Sequence, residues 1–207
     1  MPPVLIVCDQ VAPPLPHALA LKEAIASLEP EAEITLITPE DLDMDLDAVY
    51  CPLTLHIPPE LPLPSPSIFL ACQDLAEQQQ WVETELDYET GKGDYWLPIV
   101  WTIKGPLYGE VIGRENEGYV QPVDLPDDQR QPLYHLAYEL LHHLNAPPAV
   151  YTLQFAFNGS GIVFDRLFPF PTECAIASLN IQKPDLFVCH WLCLTHQPIL
   201  DLTILPQ

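Results

Sequence analysis

Residues 121–177 restrict the fold more than any other part of the chain, because they indicate without interruption a helix followed by two strands. Leucine and alanine recur at three- and four-residue spacing between Leu133 and Leu144, which predicts a helix over residues 127–144 with one buried face. Asp127 and Asp128 favour the positive end of the helix dipole, and Pro147 follows the predicted end. We therefore expect a buried helix that leads directly into a sheet.

Two segments rich in Val, Ile, Tyr and Phe follow this helix, at residues 149–157 and 161–168. The four residues 158–161, Asn-Gly-Ser-Gly, tolerate the positive φ angles of a tight turn. The pattern predicts a β-hairpin.

The first part of the chain predicts a parallel sheet. Residues 18–28 follow a helical period, and strands that alternate with helices form parallel sheets. Apolar runs with strand character occur at residues 4–7, 33–38, 48–51 and 68–71. Asp9 follows the first strand, but the next loop holds three prolines and no glycine, so we interpret Asp9 as a helix or turn cap.

The fold class is therefore α/β. An N-terminal parallel α/β sheet domain, residues 1–90, is followed by an α+β domain, residues 91–207, with the boundary near Gly91 and Gly93. Residues 74–86 predict an acidic helix. The proline-rich residues 52–66 predict a stiff extended connector or a docking surface.

A resemblance to a known family rests on the order of these elements in the second half. Asp124-Leu125-Pro126, the helix, the hairpin and the closing Pro169-Phe170-Pro171 resemble the C-terminal part of the ATP-grasp family, in its D-alanine ligase, glutathione synthetase and ribonucleotide-transformylase branches. The resemblance implies an ATP-grasp-like C-terminal domain, with residues 4–71 as the family's N-terminal α/β domain.

The resemblance also implies a changed metal site. The family's hairpin supplies oxygen atoms that hold Mg²⁺ against ATP phosphates. The matching positions here hold Gln154, Arg166 and Phe168, and a guanidinium cannot ligate Mg²⁺ because it only donates hydrogen bonds. Only residues 105–121 could replace the family's lid subdomain. The resemblance thus implies a degenerate, truncated member.

Lys104 resembles the lysine that approaches phosphate in the family, although no glycine-rich phosphate loop follows it. The simpler interpretation is a strand that ends in a solvated lysine, followed by a hairpin around Pro106 and Gly109.

Composition limits the classes of partner. Seven Lys and Arg residues against 29 Asp and Glu residues give a net charge of -22, which disfavours nucleic acids and anionic membranes. The charge favours a protein partner of basic character, or simply high solubility. No apolar run is long enough to span a bilayer and no basic leader precedes the first strand, so we expect a cytoplasmic protein.

The six cysteines lie among apolar neighbours, so we expect small buried side chains rather than disulfides. Residues 189–196 contain two cysteines and two histidines, which are zinc-type ligands. Their positions around a helix point to different sides, and Leu186 and Phe187 continue an apolar face. We therefore favour a core helix over a metal site.

Two functional hypotheses follow. The first is a non-catalytic ATP-grasp-like protein without a cofactor or metal, which binds a protein partner or a small anionic ligand; no catalytic residue is assigned. Here the Arg166 guanidinium binds the two oxygens of a carboxylate or phosphate, or instead forms an ion pair with Asp165 or a nearby Glu. The alternative is an ATP-dependent carboxylate-amine ligase that uses ATP and Mg²⁺. The candidate ligand-binding residues are Lys104, Gln154, Asp165, Arg166 and Glu173, with Lys104 on phosphate and Asp165 and Glu173 as metal ligands in the alternative.

Overall fold

The computed structural model of the protein describes residues 2–42, 47–116 and 118–206. The chain begins with a three-stranded parallel sheet in the order β2-β1-β3. Its strands are β1 (Val4–Val7), β2 (Ile34–Ile37) and β3 (Val49–Pro52), and α1 (Pro16–Leu28) connects the first two. The apolar face of α1, including Leu21 and Ile25, is fully buried. The predicted parallel sheet is confirmed.

The proline-rich segment after β3 is held to the core by apolar residues that separate its prolines. Leu53, Ile57 and Leu61 are all buried. This segment leads to α2 (Ser67–Gln73) and α3 (Leu75–Leu86), and the Asp74 side chain accepts a hydrogen bond from the Glu77 amide at the start of α3. The helix predicted over residues 74–86 is confirmed.

The strand predicted at residues 68–71 is wrong, because these residues lie in α2. A short apolar run does not distinguish a buried strand from a buried helical turn. The buried positions Ile68, Phe69 and Cys72 have the spacing of one helix face, whereas Leu70 is exposed.

The second sheet is mixed and carries most of the chain's strands. Its strand order is β4-β10-β9-β5-β7-β8, and β6 also pairs with β5. Among the described residues of this sheet, β4 and β10 pair in parallel and the other pairs are antiparallel. The strands are β4 (Glu89–Thr90), β5 (Tyr95–Thr102), β6 (Gly105–Tyr108), β7 (Val111–Glu115), β8 (Gly118–Val123), β9 (Ala149–Asn158) and β10 (Gly161–Phe168). Residues 105–121, the only candidates for a lid, thus lie largely in strands of this sheet.

The predicted helix and hairpin are confirmed with small shifts at their ends. Helix α4 (Asp127–His143) buries Leu133, Leu136 and Leu140, and β9 and β10 then pair antiparallel. Gly159 in the connecting turn has φ of 63°, as the sequence of the turn predicts. Helices α3 and α4 both pack on β10.

The C-terminal part begins with a 3-10 helix (Glu173–Ser178), which packs on β7 and β8, and ends with β11 (Gln182–Lys183), α5 (Leu186–Leu194) and β12 (Thr203–Ile204). Helix α5 packs on β5 and β9. Its Cys189, Trp191 and Cys193 side chains are buried, which confirms the core-helix interpretation.

All six cysteines are buried and unpaired, as predicted. Burial raises the pKa of the Cys51, Cys72, Cys174 and Cys193 thiols to about 12. These thiols are therefore protonated and unreactive at neutral pH. Among the described residues, no helix has the length and hydropathy needed to cross a bilayer.

Candidate functional site

A row of side chains crosses one face of the second sheet from β10 to β7. Arg166 in β10 is directly opposite Gln154 in β9, which is in turn opposite Trp96 in β5. Side chains of directly opposed residues lie on the same face of a sheet. Arg114 in β7 reaches this face, because its Cζ atom is 5.6 Å from the centroid of the Trp96 ring. We call Arg166, Gln154, Trp96 and Arg114 the cross-strand row.

A β-bulge at Asp165 places Arg166 in this row. Phe164 pairs with Phe155 and Arg166 pairs with Gln154, so Asp165 is one extra residue in β10. In a regular strand, residues two apart share a face, and Arg166 would point into the core with Phe164. Because of the bulge, Phe164 is fully buried while Arg166 is partly exposed.

Asp165 holds Arg166 in a defined orientation. The Asp165 side chain is almost completely buried; the Gly93 amide donates to its Oδ2 at 3.0 Å, and the Arg166 Nε donates to its Oδ1 at 3.2 Å. The ion pair anticipated between Arg166 and Asp165 is thus present. It uses Nε alone, and within the described part of the chain we find no partner for the two terminal nitrogens of Arg166, whose side chain is 40% exposed.

The amide group of the Gln154 side chain forms a hydrogen bond to the backbone. Its Nε2 donates to the carbonyl oxygen of Gly93 at 2.6 Å. Gly93 thus bonds to both Gln154 and Asp165, and these bonds fix the segment that connects β4 to β5 against the hairpin. Gln154 is therefore a positioning residue at the base of the site, next to Arg166.

The other end of the row borders a surface depression of about 230 Å³. Arg114, Tyr119 and Glu173 line it, and the Tyr119 hydroxyl donates to Glu173 Oε2 at 3.5 Å. The Tyr119 ring packs edge-on against Trp96, with ring centroids 5.2 Å apart. Burial raises the pKa of Tyr119, the Glu173 carboxylate raises it further, and the Arg114 guanidinium opposes both effects.

The N-terminal part of the chain brings one histidine, His17, near Glu173. His17, in the first turn of α1, is close enough to Glu173 and Asp9 for both carboxylates to act on its imidazole. Burial nevertheless lowers the pKa of His17 and outweighs the two carboxylates, which would raise it. His17 is therefore predominantly neutral at neutral pH.

Asp9 does not cap helix α1, so the helix-cap part of that interpretation is wrong. The N-cap of α1 is Leu15, which makes no side-chain bond there, and Asp9 Oδ1 instead accepts from the Thr54 hydroxyl at 2.6 Å. Asp9 thus links the ends of β1 and β3.

Lys104 lies far from the cross-strand row. It is exposed in the turn between β5 and β6, whereas Trp96 is at the opposite end of β5. At about 3.4 Å per residue, Thr102 at the end of β5 is roughly 20 Å from Trp96, and Lys104 lies beyond Thr102. The structure agrees with a solvated lysine in a hairpin and does not bring Lys104 together with Arg166.

The donor atoms do not fit the magnesium site that the resemblance to the ATP-grasp family implies. Arg166 offers no lone pair, and the two carboxylate oxygens of Asp165 already accept from Gly93 and Arg166. Glu173 instead contacts Tyr119. In the part of the chain that the structure describes, no three His, Cys, Asp or Glu side chains are grouped so that they could hold a metal ion.

Three residues of this site, Trp96, Arg114 and Tyr119, escaped prediction from sequence. Trp96 lies in the apolar strand β5, whereas Arg114 and Tyr119 lie in the short strands β7 and β8, and none of the three belongs to a functional sequence motif. The pairing of β5, β7 and β8 brings them together. One sequence signal was present: the chain has only seven Lys and Arg residues, so each arginine is a candidate anion-binding residue.

Comparisons with solved structures find the same fold. The chain matches glycinamide-RNase-transformylase T from Mycobacterium tuberculosis with a TM-score of 0.71 and 12% identity, over 95% of this chain and 80% of that chain. It matches carboxyaminoimidazole ribonucleotide synthase from Aspergillus clavatus, complexed with ATP, with a TM-score of 0.72 and 9% identity, over 97% and 78% of the two chains. For N5-carboxyaminoimidazole ribonucleotide synthetase from Thermotoga maritima the TM-score is 0.70 and the identity 9%, over 97% and 77%.

No protein-family model and no curated protein matches the sequence. At such low identity the structural matches establish the fold alone. The predicted fold class is confirmed, and the chain has an ATP-grasp-like α/β fold.

Proposed function

We propose that this chain is a non-catalytic binding protein with an ATP-grasp-like fold, and that its cross-strand row binds a small anionic ligand, a carboxylate or a phosphate. One observation carries the proposal: Arg166 is directly opposite Gln154, and its terminal nitrogens have no partner in the described part of the chain. At these hairpin positions the ATP-grasp resemblance implies oxygen ligands for a cation. A guanidinium in the same place attracts an anion directly and makes a bridging metal unnecessary.

The distribution of charge supports this proposal. The chain has 29 acidic residues and only three arginines, and two of the arginines, Arg114 and Arg166, lie on one face of the sheet. An anion is repelled by most of so acidic a surface. The cross-strand row is therefore the surface on which we expect a small anion to bind.

The orientation of Arg166 supports the proposal as well. Asp165 holds its Nε, and the Phe168 ring centroid is 6.0 Å from its Cζ atom. A guanidinium fixed at Nε presents its two terminal nitrogens as a fork, which matches the two oxygens of a carboxylate or phosphate. Because the side chain is already ordered, binding loses less conformational entropy.

The other hypotheses have less support. A ligase would need Lys104 at the phosphates, yet Lys104 lies beyond the end of β5, which is roughly 20 Å from Trp96 at about 3.4 Å per residue. It would also need Asp165 as a metal ligand, although Asp165 is paired with Arg166. A protein partner of basic character stays a prediction from net charge.

Titration calorimetry in EDTA tests the proposal, with pyrophosphate and succinate as separate probes for phosphate and carboxylate ligands. Arg166→Gln removes the charge and the fork, and we expect it to weaken binding of the favoured probe by about tenfold or more, as the loss of a charge-assisted hydrogen bond requires. Arg166→Lys keeps the positive charge but lacks the two terminal guanidinium nitrogens, so we expect an intermediate loss of affinity for the probe. Lys22→Gln is the matched control, because it removes one charge from an exposed position on α1.

The expected result is saturable binding of one probe that is weakened by Arg166→Gln and unchanged by Lys22→Gln. Equal losses of affinity in Arg166→Gln and Lys22→Gln would mean that binding depends only on the net charge of the chain, and would overturn the proposal. A native chain that binds neither probe would overturn it too.

A further inference from the structure

A second cleft, of about 80 Å³, lies between the proline-rich segment and the C-terminal helix α5 and opens to solvent. Its walls are mainly apolar and aromatic, and within the described part of the chain no Lys, Arg, Asp or Glu lines it. The lining includes Tyr50, Leu63, Phe69, Tyr151, His190 and Leu194.

His190 is the buried polar group of this cleft. It is 2% exposed, and its Nδ1 accepts a hydrogen bond from the Val150 amide at 3.2 Å. The pairing of β9 with β10 ends at Thr152, so β10 offers no carbonyl oxygen to the Val150 amide. The His190 imidazole accepts that hydrogen bond instead. An Nδ1 that accepts a hydrogen bond requires the proton of the neutral ring to be on Nε2.

The Nε2–H donor of His190 has no partner among the described residues. A buried donor without an acceptor is unfavourable and calls for an explanation. The nearby Tyr151 hydroxyl does not provide one, because it donates to the carbonyl oxygen of Pro147 at 2.8 Å. An acceptor that enters the cleft would satisfy the His190 donor.

We propose that this cleft binds a small, uncharged, mainly apolar molecule whose carbonyl oxygen accepts a hydrogen bond from His190 Nε2. The apolar walls would bury the body of the ligand, and the single donor would fix its orientation. The site is separate from the cross-strand row, so it stands or fails independently of the proposed anion binding.

The charge of the cleft determines the ligand class. Burial keeps the His190 imidazole neutral, and the other histidine of the lining, His196, is exposed at the rim. With no cation inside the cleft, a carboxylate or phosphate would lose its hydration without a compensating charge. A ketone, ester or amide oxygen is an adequate partner for one neutral donor.

The wall formed by the proline-rich segment is stiff, which suits a preformed site. Pro64 and Pro52 line the cleft, and the neighbouring Leu61 is 2% exposed and anchors the segment to the core. Prolines restrict φ, so this wall has few alternative conformations. The docking role considered for residues 52–66 thus becomes a role in enclosing a small molecule.

Fluorescence titration with prodan, a neutral naphthalene dye that carries a ketone, tests this site. The comparison dye is dimethylaminonaphthalene, which lacks the ketone. We expect prodan to bind saturably with blue-shifted emission and more tightly than the comparison dye. Leu63→Trp fills the cleft from the proline-rich segment, and we expect it to weaken the binding of both dyes by at least tenfold.

Two substitutions of His190 isolate the donor. In His190→Asn the amide oxygen can still accept from the Val150 amide, but no group reaches the position of Nε2. In His190→Gln the terminal NH₂ replaces Nε2 as a donor. We expect His190→Asn to weaken prodan about fivefold and leave the comparison dye unchanged, whereas His190→Gln keeps the preference for prodan. Circular dichroism verifies that each variant is folded.

Absence of saturable prodan binding to the native chain would overturn the proposal. Equal affinity for the two dyes would also overturn it, because a water molecule would then satisfy His190. Binding that Leu63→Trp leaves unchanged would place the dye elsewhere, with the same consequence.

Discussion

Gly93→Ala is expected to lower the free energy of unfolding by about 4 kcal/mol. A Cβ atom at Gly93 would lie 2.1 Å from the carbonyl oxygen of Phe155 and 2.2 Å from its carbonyl carbon. Both are backbone atoms of β9, so no side-chain rotation can relieve the clash. The segment must shift, and a shift breaks the bonds of Gly93 to Asp165 and Gln154. The same change should disorder Arg166, which Asp165 orients.

Denaturant unfolding measures this effect, and Gly118→Ala provides the control. A Cβ atom at Gly118 has its nearest contact at 4.0 Å, so we expect a change within about 0.5 kcal/mol. If the two alanine variants were equally stable, Gly93 could not be in close contact with β9, and the geometry described for the base of the site would be incorrect.

Acid should destabilise the protein through His190 by about 2.5 kcal/mol between pH 7 and about pH 4.5. Burial lowers the pKa of His190 from 6.5 to about 3. Between these two values the unfolded chain binds a proton on this imidazole that the folded chain does not bind. Stability therefore falls as the pH decreases from 6.5 towards 3, and each pH unit in this window corresponds to about 1.4 kcal/mol.

The pH dependence of denaturant unfolding, compared between the native chain and His190→Asn, isolates this contribution. The carboxylates titrate in both proteins, so their effects cancel in the difference. We expect the variant to be less stable near neutral pH and to lose less stability in acid. Parallel pH profiles would show that His190 is not buried as a neutral imidazole.

The elements that sequence predicts well are those with a strong local pattern. Helix α4 has a clear apolar period and acidic residues at its start, and the hairpin has a turn that only a few residue types allow. The strand prediction for residues 68–71 is wrong because a run of four apolar residues is too short to distinguish a helical period from a strand period. The bulge at Asp165 has no local signal, since it depends on the register with β9.

The sequence predicted part of the site only where the resemblance to the ATP-grasp family indicated which residues belong to the hairpin. The resemblance assigns Gln154 and Arg166 to metal-ligand positions of the family's hairpin, and the structure places them directly opposite each other. It also assigns Lys104 to the phosphates, but Lys104 lies beyond the distant end of β5. Arg114 and Trp96 come together through pairing of distant segments, which no local pattern reports.

The central claim is that a guanidinium at the hairpin replaces a metal-based anion site. Its most direct test is the affinity for ATP, measured by titration calorimetry in EDTA and again with Mg²⁺ in excess. We predict that Mg²⁺ gives equal or weaker binding, because it neutralises the phosphate charge that Arg166 would attract. Binding of ATP that appears only when Mg²⁺ is added would contradict this account.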